Sequence, residues 1–317
     1  MASNMDKRKT MSVGNKMLER YGKNPILKPI KEHPWESKRV FNSAAVYDKG
    51  KVHIVYRAQG EDDISRLGYA SSSDGYHIDE RLDSPIFAPA EEREKLGCED
   101  PRITKLGDKY YMCYTAYGKT QRWCKVDKTR LAQIGMTYIS VSDFLNHRWR
   151  WGTRIYPLVQ VDSKNCVLFP RKFRGKYVIY HRIPPHIWIA YSNSLGDWSK
   201  SYHRAIIQPR EKWECIKIGA GAPPIETEKG WLFVYHGVDE NFTYRLGLAL
   251  IDRNNPEKVL RSKKPILEPR EEYEQNIVFS CGAVLLDGKI FVYYGADDRA
   301  IGVAMSDVSE IFSLFEE

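Results

Sequence analysis

Short runs of alternating apolar and polar residues recur along the chain, and five of them share one plan. Residues 41–47 lead through Gly50 into 52–57, and 97–106 lead through Gly107 into 109–114. The same plan takes 165–172 through Gly175 into 177–182, 219–225 through Gly230 into 231–236, and 280–285 through Gly288 into 290–294. Each copy is a strand rich in small residues, a Gly/Lys turn and an aromatic strand, which predicts five β-hairpins. The turn glycines are 57, 68, 55 and 58 residues apart, a near-constant period that signals a repeat architecture. A third run follows each hairpin, at 67–71, 134–138, 187–191, 246–250 and 301–305. Pro-flanked segments at 84–89 and 264–269 supply an outer fourth strand, since proline suits strands that need few ladder bonds. The fifth copy lacks that segment, and a matching one stands at 24–29. The pattern therefore predicts an all-β, five-bladed β-propeller whose last blade is closed by the N-terminal strand. One domain spans 1–317, with a polar segment at 1–16 and a short helical tail at 308–317.

In a propeller the innermost strands line a central channel, so equivalent blade positions converge on one axis. The starts of the inner strands carry Asn42, Ser43, Glu99, Asp100, Lys164, Asn165 and Lys217. The ends of the second strands carry Arg57, Tyr117, His181, Arg182, His236, Asp297 and Asp298. Start and end of two antiparallel neighbours lie on the same side, so these groups are expected at one mouth of the channel. Lys164, Arg182, Lys217 and His236 form an expected cationic cluster, a setting for phosphate, to which Arg gives paired bonds and Lys a point charge. His181 fits a structural hydrogen-bonding role equally well. Asp100 is the acidic candidate, with a pKa expected to be raised by burial so that it donates a proton. Sugar-bond hydrolysis normally uses two carboxylates. A phosphate nucleophile needs little activation, so one acid beside a cationic pocket is the pattern of phosphorolysis.

Composition narrows the field. The net charge is +8 with histidine neutral, which suits an anionic substrate. The basic residues are scattered, with no Lys/Arg block, and this argues against nucleic acid. Six cysteines without a CxxC pair read as reduced thiols of a cytoplasmic protein. No apolar run reaches membrane-spanning length, and residues 1–16 lack the apolar core of a signal peptide. The eight histidines show neither HxH nor HExxH, so no metal site is expected.

The motifs Glu99-Asp100-Pro101-Arg102, Phe169-Pro170-Arg171-Lys172, Lys217-Ile218-Gly219-Ala220-Gly221, Tyr235-His236-Gly237 and Tyr293-Tyr294-Gly295-Ala296-Asp297-Asp298 resemble glycoside hydrolase family 130 from about Asn24 to the C-terminus. The resemblance implies a five-bladed propeller and inverting phosphorolysis of β-mannosides to α-mannose 1-phosphate, with inorganic phosphate as co-substrate and no cofactor. It implies Asp100 as general acid, its proton passing through the mannosyl 3-hydroxyl. Lys164, Asn165, Arg182, Lys217 and His236 would bind phosphate. Asn42, Ser43, Arg57, Glu99, Arg102, Tyr117, Tyr244, Asp297 and Asp298 would bind the sugar or hold the loop beside it. Lys164-Asn165 stands where many members have Arg-Asn, keeping the charge but losing the bidentate fork. The compact chain fits β-1,2-mannobiose or β-1,2-mannooligosaccharides as substrate. A mannosyl-glucose or mannosyl-N-acetylglucosamine phosphorylase, a β-mannoside hydrolase and a non-catalytic carbohydrate-binding propeller remain open, as does homo-oligomerisation. Residues 121–128, with Trp123, read either as a lid over the leaving sugar or as a surface elaboration.

Overall fold

The computed structural model describes residues 17–119, 130–158 and 161–316. After β1 (Glu19–Arg20), the first blade holds β2 (Arg39–Asp48), β3 (Lys51–Gln59), β4 (Arg66–Ser72) and β5 (Glu80–Arg81). The second holds β6 (Gly97–Leu106), β7 (Lys109–Lys119) and β8 (Arg130–Ser140). In the third are β9 (Lys164–Leu168), β10 (Tyr177–Ile183), β11 (His186–Ser192) and β12 (Tyr202–Ile207). The fourth has β13 (Lys217–Ala220), β14 (Ile225–Thr227), β15 (Gly230–Val238), β16 (Tyr244–Ile251) and β17 (Val259–Arg261). The fifth has β18 (Val278–Leu286), β19 (Lys289–Ala296) and β20 (Ala300–Asp307). Two short helices, α1 (Val141–Leu145) and α2 (Val308–Ser313), follow β8 and β20. The strands form five antiparallel sheets, and β1 completes the fifth as β1-β20-β19-β18. The predicted propeller and its N-terminal closure are thus present. No helix of the described residues is long and apolar enough to cross a membrane.

Five apolar cores fill the spaces between neighbouring blades. Val234 and Leu248 pack with Val292 and Tyr294 between the fourth and fifth, and Ile54 and Tyr56 with Val303 between the first and fifth.

One expectation is corrected. The Pro-flanked segments are not the outer strands, which are β1, β5 and β17. Each segment instead makes a single bridge to the third strand of its blade, Leu27↔Ile301, Leu67↔Phe87 and Leu246↔Leu267. Ile26, Ile86 and Ile266 donate their backbone N–H at 2.8, 2.8 and 2.7 Å to these strands. The flanking prolines have no N–H, so the ladder stops after one pair.

These three segments, and the stretch after β12, lead into a buried glutamate just ahead of the inner strand, in four of the five blades. Glu36, Glu94, Glu214 and Glu274 are each 0% exposed. Arg81, Arg154, Arg261 and Arg20 respectively pair with them. Tyr56, Tyr114 and Tyr294 donate their hydroxyls to Glu36, Glu94 and Glu274. The tyrosine ring lies across the third strand at Gly68, Gly135, Gly247 or Gly302, where a Cβ would come within 2.3–2.5 Å of Tyr56, Tyr114, Tyr235 or Tyr294. This explains the repeated glycine of the third strands: the ring needs that space to reach the carboxylate. In blade three Ile189 stands opposite the tyrosine, and Tyr180 donates to the Pro256 carbonyl instead. Each glutamate is paired with an arginine, as burial requires. In the first, second and fifth blades the tyrosine completes a triad, while in the fourth the Tyr235 hydroxyl and Glu214 Oε2 make no hydrogen bond among the described residues.

Candidate active site

The inner strands do not run straight into the channel. The β2–β3, β6–β7, β9–β10 and β18–β19 ladders all slip at the same level, between Phe41 and Ala44, Glu99 and Arg102, Tyr180 and Arg182, and Ser280 and Gly282. At three of these bulges a polar residue adopts a left-handed backbone: Asn42 (φ 49°), Asp100 (φ 51°) and Asn165 (φ 55°). Asn and Asp accept this conformation more readily than other residues with a Cβ. Bulges re-aim side chains, here one per blade at the mouth. In the fifth blade Asp297 (φ 48°) and Asp298 (φ 51°) form the β19–β20 turn, closed by Arg299 N–H to the Ala296 carbonyl at 3.0 Å. Two successive positive φ values define a type I′ hairpin turn.

Asp100 is 5% exposed. Its Oδ1 accepts from Asn42 Nδ2 at 2.9 Å and from Arg57 Nη1 at 3.0 Å. Arg57 Nη2 reaches Glu99 Oε1 at 2.7 Å, and Lys164 Nζ reaches Glu99 Oε2 at 3.2 Å. Burial pushes the Asp100 carboxyl up, but Arg57, Lys164 and Arg102, with the Asn42 hydrogen bond, outweigh it and hold Asp100 below the usual carboxylate range. The raised pKa expected from the sequence is therefore not found: the cations that a phosphate site requires also stabilise the carboxylate. Asp298 goes the other way, raised by burial and by the charge of Asp100. The environments push the two carboxyls apart, Asp100 down and Asp298 up.

Across the mouth, blades three and four present the other half. Among the described residues, Arg182 and Lys217 have no carboxylate partner, and the Lys217 ammonium stands 5.4 Å from the Tyr244 ring centre. Burial lowers the proton affinity of Arg182, with Tyr244 opposing and Arg102 adding to it. His236 is 0% exposed, and neither ring nitrogen has a partner. Burial and the charges of Arg182, Arg102 and Lys217 push its pKa well below the ordinary value. The predicted cationic cluster thus contains a neutral His236, a hydrogen-bonding group and not a charge. Gly219 permits this packing, since a Cβ there would lie 2.5 Å from His236 Cε1 and 3.2 Å from Arg182 Cδ. Buried polar atoms normally find partners. Of the unpartnered buried atoms among the described residues, Asn42 Oδ1, Ser43 Oγ, Asn165 Oδ1, Arg182 Nε and both His236 nitrogens belong to predicted site residues, and Gln59 Oε1, Arg171 Nε, His186 Nδ1, Ser201 Oγ, Glu214 Oε2 and the Tyr235 hydroxyl lie elsewhere.

Other predicted residues take different places. Arg102 is 1% exposed, and its guanidinium is bound to backbone beneath the mouth. Its Nε donates to the Gly221 carbonyl at 2.8 Å, Nη2 to Ala220 at 3.0 Å and Nη1 to Asp100 at 2.9 Å. It braces blade two against blade four. Both Glu99 oxygens are taken by Arg57 and Lys164, so Glu99 holds cations in place. Tyr117 lies under Lys164, 5.7 Å from its ammonium, and Tyr244 stacks on His236 with ring centres 6.0 Å apart. Asp297 faces Arg299 at 3.2 Å, so Asp298 is the turn residue whose charge Arg57 feels. His181 is buried and bonds Ser163 and His203, the structural alternative of the sequence reading. Ser163 and His203 were missed because neither belongs to the five-blade repeat. Residues 121–128 lie outside the described residues. Two surface clefts of about 380 and 580 Å³ lie at the turn-bearing end of the blades and contain none of the predicted site residues. Among the described residues no group of three His, Cys, Asp or Glu side chains is arranged to hold a metal ion.

This mouth can hold a neutral polyhydroxylated ring on the side of Asn42, Ser43, Arg57 and Asp298, and an anion on the side of Arg182, Lys217 and His236. A family model described as beta-1,4-mannooligosaccharide phosphorylase (Glyco_hydro_130) matches residues 5–317. The chain is 41% identical over 308 residues to a 1,2-beta-oligomannan phosphorylase of Thermoanaerobacter sp. (strain X514), covering 93% of this chain and 98% of the relative. It is 43% identical over 314 residues to a beta-1,2-mannobiose phosphorylase of the same organism, with the same coverage. A solved beta-1,2-mannobiose phosphorylase from Listeria innocua, in complex with beta-1,2-mannobiose, superposes with a TM-score of 0.77 at 26% identity, over 94% of this chain and 99% of that one.

Proposed function

The chain belongs to glycoside hydrolase family 130, and on that premise we propose that it is a β-mannoside phosphorylase acting on β-1,2-mannobiose or β-1,2-mannooligosaccharides. The observation that carries this reading is the pair Arg182 and Lys217, without carboxylate partners, beside a neutral His236 whose two nitrogens are unengaged. A hydrolase has no use for such a pocket, whereas phosphate fills it with charge-assisted hydrogen bonds. The β-1,2 linkage is supported by the two relatives above 40% identity, against the β-1,4 wording of the family description.

In this reading phosphate binds Arg182, Lys217, His236, Lys164 and Asn165. The mannosyl ring is held by Asn42, Ser43, Arg57 and Asp298. A phosphate oxygen forms a bond to the anomeric carbon while the bond to the leaving sugar breaks on the opposite face, which inverts the configuration to α-mannose 1-phosphate. The leaving oxygen takes a proton from the mannosyl 3-hydroxyl, which is replenished by Asp100. Bound phosphate offsets the field of Lys164, one of the cations that hold Asp100 low, so filling the site raises the Asp100 pKa. The reaction needs inorganic phosphate as co-substrate and no further group. Its product is charged and cannot cross a membrane unaided, and the thiols of Cys98, Cys113, Cys166, Cys215 and Cys281 are unpaired; both support a cytoplasmic enzyme. Incubation with a panel of mannobioses, with and without phosphate, tests the reading. Cleavage of β-1,4- but not β-1,2-mannobiose would reassign the linkage.

A further inference from the structure

Among the described residues blade three has no buried glutamate ahead of its inner strand, yet it carries Lys164, Asn165 and Arg182. Its ladder also lapses where they sit: Val167 pairs with Tyr180 and Lys164 with Arg182, with a register shift between. Ser163 lies immediately before Lys164. Its hydroxyl donates to the Arg182 carbonyl at 2.9 Å and stands 3.2 Å from His181 Nδ1. His181 Nε2 in turn lies 3.0 Å from Nδ1 of His203 on β12. We propose that this Ser163–His181–His203 line is a positioning device that sets phosphate affinity without touching phosphate, by fixing the backbone that carries Lys164, Asn165 and Arg182. The proposal rests on the phosphorylase reading.

The proton count fits a single directed chain. A serine hydroxyl has one proton. With that proton on the Arg182 carbonyl, Ser163 Oγ accepts from His181 Nδ1–H. His181 is 0% exposed, and burial together with His203 lowers its pKa to about 3. It is therefore neutral, and its Nε2 accepts from His203 Nδ1–H. Each bond has one donor and one acceptor, and the line runs from half-buried His203 on the outer strand to the Arg182 backbone. His181 follows Tyr180 and precedes Arg182, and successive strand residues face opposite sides. The imidazole thus supports β10 from the side away from Arg182. In the other blades a glutamate anchors the inner strand; here a serine and two histidines do so.

Initial rates against phosphate and against β-1,2-mannobiose, for wild type, Ser163→Ala, His203→Ala and His203→Asn, test the proposal. Losing one hydrogen bond of the line is expected to raise the phosphate KM about three- to tenfold in the two alanine variants, with the mannobiose KM within about twofold of wild type. His203→Asn restores an N–H near the Nδ1 position and should recover most of the phosphate affinity. His203 is on an outer strand, so its variants carry the test if Ser163→Ala fails to fold. Phosphate and mannobiose KM rising together, or neither changing while the wild type saturates with phosphate, overturns the proposal. A wild type whose rate ignores phosphate overturns the phosphorylase reading itself.

Discussion

Arg102 sits in the same short motif as Asp100, yet among the described residues its hydrogen bonds all go to backbone carbonyls. Replacing it with methionine keeps an apolar stem and removes three hydrogen bonds, to the Gly221, Ala220 and Asp100 carbonyls. A hydrogen bond from a charged donor contributes about 1.5–3 kcal/mol; because each carbonyl retains a second lone pair, the low end applies to each of the three, about 4.5 kcal/mol in total. For 317 residues, an unfolding entropy of about 2.1 cal/mol/K per residue turns this into a fall in Tm of roughly 7 °C. Calorimetry of Arg102→Met should show that fall. Substrate KM values measured well below the transition should change less than expected for a lost sugar contact, because no Arg102 nitrogen points into the mouth. A Tm within about 1 °C of wild type combined with a tenfold or larger rise in mannobiose KM would refute the brace and return Arg102 to the substrate-binding set.

Further outcomes follow from the same geometry. Lys217→Met should raise the phosphate KM by about 10- to 100-fold, as loss of a charged hydrogen bond does, with a smaller effect on mannobiose; equal effects on both would place Lys217 elsewhere. Asp100→Asn should lower kcat by about 10²- to 10⁴-fold, the usual worth of a positioned proton donor, while sugar binding by calorimetry persists. The same variant probes linkage. A carboxyl held low in the folded state stabilises it above the ordinary carboxylate range and loses that contribution as pH falls below it. Wild-type stability should therefore drop more steeply than that of Asp100→Asn in acid; parallel curves would contradict the depressed pKa. Gly295→Ala puts a Cβ 2.3 Å from Asn42 Oδ1. It should displace the Asn42 amide from Asp100 and raise the mannobiose KM, and an unchanged KM would remove Asn42 from the site.

Much of this was legible in the chain because repetition constrains position. Five copies of a small-residue strand and an aromatic strand fix a propeller. A propeller in turn places Asn42, Asp100 and Asn165 at one level without any knowledge of side-chain direction. What the pattern could not supply is where long side chains turn. Arg57 and Arg102 look alike in sequence, yet one meets Asp100 and Glu99 and the other reaches blade four. Whether Asp100 is held high or low depends on burial acting against Arg57, Lys164 and Arg102, and the winner needs distances. The Pro-flanked segments were read as strands because hydrophobic alternation does not count missing N–H groups. A signal for the buried triads was present in the glutamates ahead of four inner strands and the glycines of four third strands. It lay in residue types that are usually exposed or taken for turns, so only the paired geometry joins them.

The central claim is that phosphate, and not water, attacks the mannosyl carbon. The most direct measurement is proton and phosphorus NMR of the purified protein with β-1,2-mannobiose and inorganic phosphate. The account predicts a rate that saturates with phosphate and one α-mannose 1-phosphate for each bond cleaved. Release of free mannose at the same rate with or without phosphate, and no phosphorylated sugar, would contradict it.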